Sequence, residues 1–189
     1  MTTKLEAINT MLSCIGQAPL NTLQGTKSYF TIAAEKILED ETKRIQMQGW
    51  DFNSEDFYEI RPNVNNYVEI PKNLIMIKFP TIYKNRYVVR EGKLYDKFKH
   101  TYEIPQPIKC SVVWAFEFED LPEVAQQYAT MSAAYKFCKR ELGAEKASQY
   151  CQEDLMEARV ALEQHELEIG EYTMIPDMKN GNIRSWLWL

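Results

Sequence analysis

The chain is 189 residues long, a length for one domain or two small subdomains, with 45% hydrophobic and 26% charged residues and a formal net charge of −5. That composition belongs to a globular protein and excludes collagenous, low-complexity and disordered classes. No apolar run is long enough to span a bilayer and no basic-then-apolar leader opens the chain, so the expectation is a protein made and used without crossing a membrane by that route.

The first predicted helix covers residues 5–15, where Leu5, Ile8, Leu12 and Ile15 share one face with Met11 at its edge, and Gly16 and Pro19 end it. The following loop, 16–25, carries two apolar anchors, Leu20 and Leu23. A second helix is predicted over 28–48, with Ser28 as N-cap, Ala34, Leu38 and Ile45 as one stripe flanked by Ile37, and Gly49 as its stop. Glu35, Lys36, Glu39, Asp40, Glu41, Lys43 and Arg44 read as its exposed, charged face.

At Trp50-Asp51-Phe52-Asn53 the period changes to apolar–polar alternation, a strand signal, and further strands are predicted at 57–60, 67–70, 74–79, 86–90, 93–95 and 110–116. Asn, Pro and Gly punctuate the intervals, and Arg90-Glu91-Gly92-Lys93 is a hairpin turn. Short strands with frequent turns imply a small antiparallel sheet or partial barrel.

The stretch 120–171 organises the rest. Asp120-Leu121-Pro122 reads as a helix start with Asp120 as an acidic N-cap candidate. Val124, Tyr128, Met131, Tyr135, Cys138 and Leu142 then form a seam in steps of 4, 3, 4, 3 and 4, ended by Gly143. A second seam follows in Ala147, Cys151, Leu155, Ala158, Leu162, His165 and Ile169. Two long helices around one glycine make an αα-hairpin, and neither buries its seam alone. The expected fold class is α+β: a four-helix bundle from 1–49 and 119–175, a small antiparallel β region inserted over 50–118, and an extended C-terminal tail over 176–189. That tail ends Ser185-Trp186-Leu187-Trp188-Leu189, and bulky apolar residues at a free end require a docking surface, on this chain or another.

Charge is segregated. Residues 72–109 hold nine Lys/Arg against three Asp/Glu, and residues 145–171 hold eight Asp/Glu against two Lys/Arg. The bland account is two solvated surfaces; the sharper one is two faces that meet different partners or copies of each other.

Chemistry is hard to find. The four cysteines, Cys14, Cys110, Cys138 and Cys151, form no CxxC pair and read as buried free thiols. His100 sits in a basic β loop and His165 on a helix seam, where a core role is the expectation. Nucleophile-elbow, P-loop and dinucleotide-binding patterns are absent. No catalytic residue, cofactor or metal is predicted. The carboxylate runs Glu39/Asp40/Glu41 and Glu153/Asp154 fall on outer helix faces. A hydrolase acting on cell-wall or capsular polysaccharide would need paired acids across a cleft, for which Asp51, Glu55, Asp56, Glu59 and Glu69 are available. A free helical binding module is a third reading.

One ordered set of motifs runs through Ala7-Ile8-Asn9, Ile15-Gly16-Gln17-Ala18-Pro19, Thr22-Leu23-Gln24-Gly25, Gln48-Gly49-Trp50-Asp51-Phe52-Asn53 and Tyr87 to Asp96. It continues in Leu121-Pro122-Glu123, Tyr128, Ala133, Phe137 and Gly170-Glu171-Tyr172, covering about residues 5–175. This order of motifs is similar to that of the tail tubular protein A family, head-to-tail adaptors of T7-like short-tailed bacteriophages; the tail departs from the pattern. The resemblance implies a non-enzymatic virion protein in a homo-oligomeric ring, commonly of twelve copies, beneath the portal protein. It also implies contacts to the tail nozzle protein and tail fibres, and genomic DNA passing through a central channel without sequence-specific binding. An acidic wall lets phosphates slide where a basic wall grips, so Glu153, Asp154, Glu157, Glu163 and Glu166 are candidates for the channel or a subunit interface. Trp186, Leu187, Trp188 and Leu189 are candidates for insertion into the portal or a neighbouring subunit.

Overall fold

A computed structural model describes residues 1–83 and 85–169. The chain is α+β. Among the described residues, helices α1 (Lys4–Ser13) and α2 (Tyr29–Gln46) come first. Strands β1 (Ser54–Ile60), β2 (Leu74–Lys78), β3 (Tyr87–Arg90), β4 (Lys93–Asp96) and β5 (Ile108–Trp114) follow, then helices α3 (Glu123–Leu142) and α4 (Ala144–Ile169).

Local signals account for most helix ends. Thr3 and Glu6 close a capping box on α1, with Thr3 Oγ1 accepting from the Glu6 N–H at 3.2 Å and Glu6 Oε2 accepting from the Thr3 N–H at 2.7 Å. Ser28 Oγ accepts from the Thr31 N–H and caps α2 as predicted. Gly143, at φ +95°, separates α3 from α4. The predicted start of α3 is corrected: α3 begins at Glu123 with Pro122 as its cap, and Asp120 belongs to a single 3-10 turn at Phe118–Asp120. The loop after α1 is pinned by Asn9, which donates to Leu20 O at 3.0 Å and accepts from the Leu20 N–H at 2.8 Å.

Helix α3 touches α1, α2 and α4. Its burial departs from the single seam that was expected. Ala125, Ala129, Thr130, Ser132, Ala133, Ala134, Phe137 and Cys138 are all buried, while Val124, Met131 and Tyr135 of the predicted seam are only half-buried and Leu142 is exposed. Small side chains let neighbouring helices approach from several sides, so a helix with modest amphipathicity becomes the central one. Ala7, Ile8, Met11 and Leu12 of α1, Ala34, Ile37, Leu38 and Ile45 of α2, and Ala158 and Leu162 of α4 share one apolar cluster with α3.

The β region has its own cluster of Ile60, Val68, Leu94, Ile104, Ile108, Cys110 and Val112. It contains an antiparallel sheet in the order β1-β5-β2 and a β3-β4 hairpin. Arg90 pairs with Lys93 across the predicted turn, where Glu91 (φ +51°) and Gly92 (φ +70°) both have the positive φ of a two-residue hairpin loop. Two strand expectations are corrected. Residues 67–70 make only isolated bridges, Tyr67 to Glu103 and Glu69 to Lys93. Asp51–Asn53 is a 3-10 turn, because Trp50 and Phe52 both turn onto the helical core and Trp50 Nε1 donates to Ile45 O at 2.9 Å.

The two parts are stitched by buried amides. Gln46 donates to Phe116 O at 3.0 Å and accepts from the Phe116 N–H at 2.7 Å. Asn53 Nδ2 donates to Gln46 O and to Trp114 O, each at 2.9 Å. Gly49 lies between them at φ +76°, where an added Cβ would sit 3.3 Å from Val113 Cγ2.

Candidate functional site

Helix α4 turns two different faces to its surroundings. Cys151, Ala158 and Leu162 face α3 and are buried, with Leu155 half-buried beside them, while Ile169 at the end of the predicted seam is exposed and does not belong to it. On the opposite side Met156, Val160 and Leu167 are exposed at 63%, 49% and 59%. Their spacing of 4 and 7 residues is a second helical stripe. Glu153, Met156, Glu157, Val160, Ala161 and Gln164 line a shallow groove along it, in which acidic and apolar side chains alternate.

The five predicted carboxylates divide. Glu153 and Glu157 meet at the groove, and Asp154 is exposed nearby. Glu163 is bound to Arg159 one turn earlier, at 2.8 Å. Glu166 is half-buried and points back into the chain, accepting the Asp51 N–H at 2.6 Å. His165 is half-buried on the α4 seam. The docking candidates Trp186, Leu187, Trp188 and Leu189 lie outside the described residues.

A second polar centre joins α2 to α3, and it corrects the reading of Glu41 as part of a solvated face. The Glu41 side chain is 2% exposed. Its Oε2 accepts from Arg44 Nε at 2.8 Å and from Ser132 Oγ at 2.6 Å, while Lys136 Nζ pairs with Oε1. Arg44 Nη2 also donates to Ser132 Oγ at 2.9 Å. Burial pushes the Glu41 carboxyl up, but the Arg44, Lys136 and Ser132 hydrogen bonds outweigh it and hold the acid below its ordinary value.

In the β region the corresponding centre is Asp96, also 2% exposed. Its Oδ2 accepts from Arg86 Nε at 2.9 Å and Nη2 at 2.7 Å, and its Oδ1 accepts the N–H groups of Phe98 and Lys99 at 2.9 and 3.1 Å. Burial is again opposed, by the Arg86 pair and the two backbone donors, and the acid is lowered. Cations also lie over rings on this surface: Arg90 over Tyr95 at 4.4 Å and Lys93 over Tyr67 at 5.0 Å.

Three cysteines distant in sequence converge. Cys14 after α1, Cys138 on α3 and Cys151 on α4 pack together with Tyr135. Burial pushes Cys151 up to about 12, with Cys14 and Cys138 adding to it, and burial alone pushes Cys110 up to about 11. These are poor thiolates and poor nucleophiles. Among the described residues no group of His, Cys, Asp and Glu is arranged to hold a metal ion.

The acids named for a hydrolase gain no support. Glu55, Asp56 and Glu69 are exposed. Glu59 pairs with Arg61 at 3.0 Å, and Glu69 accepts from Asn63 at 3.1 Å. Neither the α4 groove nor a second groove between α2 and residues 115–119 includes any of them.

A helical core, a β region stitched to it and an outward helix face that carries apolar and acidic side chains together are the features of a surface-presenting protein. The tail tubular protein family matches residues 5–183, nearly the whole sequence, and the chain belongs to that family. Tail tubular protein A of Klebsiella phage KP34 is 23% identical over 163 residues, an alignment covering 86% of each chain. The protein is thus a structural component of the phage virion tail.

Proposed function

We propose that the chain is a non-enzymatic, ring-forming head-to-tail adaptor that joins the portal to the tail nozzle and contributes part of the DNA ejection channel. The observation that carries this reading is the outer face of α4: a 26-residue helix that buries one seam and leaves a second apolar stripe, interleaved with acids, exposed. Large exposed apolar stripes rimmed by charge mark association surfaces. The helices of 1–49 and 119–175 act as one four-helix bundle, a stiff wedge suited to repetition around an axis, with 50–118 carried as an insertion. Twelve copies make the ring, and tail fibres attach to its outside.

Of the five acids, Glu153, Asp154 and Glu157 serve the channel wall or the contact between copies, because Glu163 and Glu166 are engaged within the chain. Trp186 to Leu189 insert into the portal or a neighbouring subunit. Electron microscopy of the purified protein mixed with its cognate portal tests the reading: a stacked ring supports it, and portal rings left bare at saturating protein refute it. Deleting residues 176–189 should abolish portal binding with the fold intact; unchanged binding refutes the role of the tail.

A further inference from the structure

The groove on α4 has a counterpart on the same chain. The turn after β4 presents Lys97-Phe98-Lys99, with Phe98 70% exposed and Lys99 exposed beside it. Exposure alone does not single this ring out, since Tyr29, Phe57 and Ile82 are as exposed; what does is a backbone that is held firmly. Both oxygens of buried Asp96 are committed: Oδ2 to Arg86, and Oδ1 to the backbone N–H groups of Phe98 and Lys99. Lys97 N–H donates to Arg86 O at 2.8 Å, and Asp96 N–H donates to Thr101 O at 2.9 Å. The tip is therefore preorganised, which lowers the entropy cost of placing an aromatic anchor.

The two surfaces match in kind. The tip is an aromatic ring between two cations, and the groove combines the apolar side chains of Met156, Val160 and Ala161 with the carboxylates of Glu153 and Glu157. Within one chain they do not meet, since Phe98 and Met156 are both largely exposed. We infer that the Lys97-Phe98-Lys99 tip of one copy seats in the Glu153/Glu157 groove on α4 of the next copy, in a head-to-tail contact. Each copy then brings one tip and one groove. Such heterologous contacts repeat and, where the rotation closes, make rings, whereas a self-complementary patch stops at dimers. The inference rests on the ring reading above and names the surfaces that would build the ring.

The test uses virion tails carrying Phe98→Cys together with Met156→Cys, treated with copper–phenanthroline and run on a denaturing gel. A ladder of covalent multimers that requires both substitutions is the expected result. The native thiols Cys110, Cys138 and Cys151 are buried and give little background, and half-buried Cys14 is replaced by Ser in the same chain to remove its own. No ladder from tails that microscopy shows to hold a ring overturns the assigned surfaces and leaves the ring reading standing. Tails holding a single copy overturn both. Dimers from Phe98→Cys alone indicate a two-fold contact and also overturn the inference.

A charge exchange covers failure of the cysteine variants to assemble. Lys97→Glu with Lys99→Glu should reduce incorporation into tails by about tenfold or more, through like-charge contact in the groove. Adding Glu153→Lys and Glu157→Lys to the same chain should restore it. Absence of rescue, in a protein whose melting temperature is unchanged, overturns the inference.

Discussion

Replacing Glu41 with Gln tests the α2–α3 junction. The substitution keeps the side-chain shape and one acceptor for Ser132, and it removes the charge shared by Arg44 and Lys136. Breaking a fully buried ion pair costs about 3–5 kcal/mol. Here the cations are 44% and 42% exposed and regain water when the acid is lost, which brings the cost down to about 2–3 kcal/mol. For a chain of this size that corresponds to a fall in Tm of about 4–12 °C.

Titration supplies a second signature of Glu41. A carboxyl lowered in the folded state contributes stability that is present above its ordinary value of 4.5 and is lost as pH falls through the lower folded value. The variant has nothing to titrate at this position. The gap between wild type and Glu41→Gln should therefore be widest near neutrality and close as pH drops below 4.5. Urea denaturation of both proteins at several pH values measures it. A neutral-pH gap under about 0.5 kcal/mol, the size of an ordinary surface substitution, or a gap that stays constant down to acid pH would refute the reasoning.

Four further outcomes follow from the same geometry. Asn53→Ala removes two donors and leaves the Gln46 and Trp114 carbonyls short of a partner, so it should cost about 1–3 kcal/mol in urea denaturation. Phe137→Ala empties a fully buried site on α3 and should cost about 3–5 kcal/mol by the same assay. Asp96→Asn discards the Arg86 ion pair, and amide exchange at Phe98 and Lys99 should speed up while protection within α3 is unchanged. In folded protein at pH 8, a thiol reagent should modify half-buried Cys14 well before buried Cys110 or Cys151; burial raises all three thiols, the latter two to about 11 and about 12, and mass spectrometry of the labelled peptides reads the order.

Much of the fold was legible because its signals are local. Ser28, the Glu91-Gly92 turn and Gly143 each act within a few residues, and each ends or starts an element where the sequence places it. Glu41 was misread although a signal existed. Ala34, Leu38 and Ile45 leave a gap of seven residues in a stripe that should be filled at 41 or 42, and a buried acid fills it. A charged residue on a stripe position is a sign of a partnered ion inside. The burial of α3 on several sides, in place of one seam, was not legible because alanines carry little weight in a hydrophobic seam, although four of them permit close approach on several sides. At Trp50 to Asn53 four residues are too few to tell a strand from a turn, and packing of Trp50 and Phe52 on the helices decided it.

The candidate site was only half legible. The acids of α4 could be seen as a charge run, but which of them are free of partners depends on Arg159 and on the Asp51 backbone. The apolar stripe of Met156, Val160 and Leu167 was hidden behind the stronger inward seam. Phe98 lies between the predicted strands, where nothing marks it out, and its exposure follows from a turn that Asp96 builds.

The amide stitch between the helices and the β region has a mechanical consequence. Gln46 grips the Phe116 peptide through both its N–H and its C=O, and Asn53 ties the end of α2 to the end of β5. A load applied to the β region is thereby shared among several short bonds at one place, so rupture of any single bond does not free the part. Rotation there would need them to break together. The joint behaves as a weld rather than a hinge, and it meets the helices at the last residue of α2.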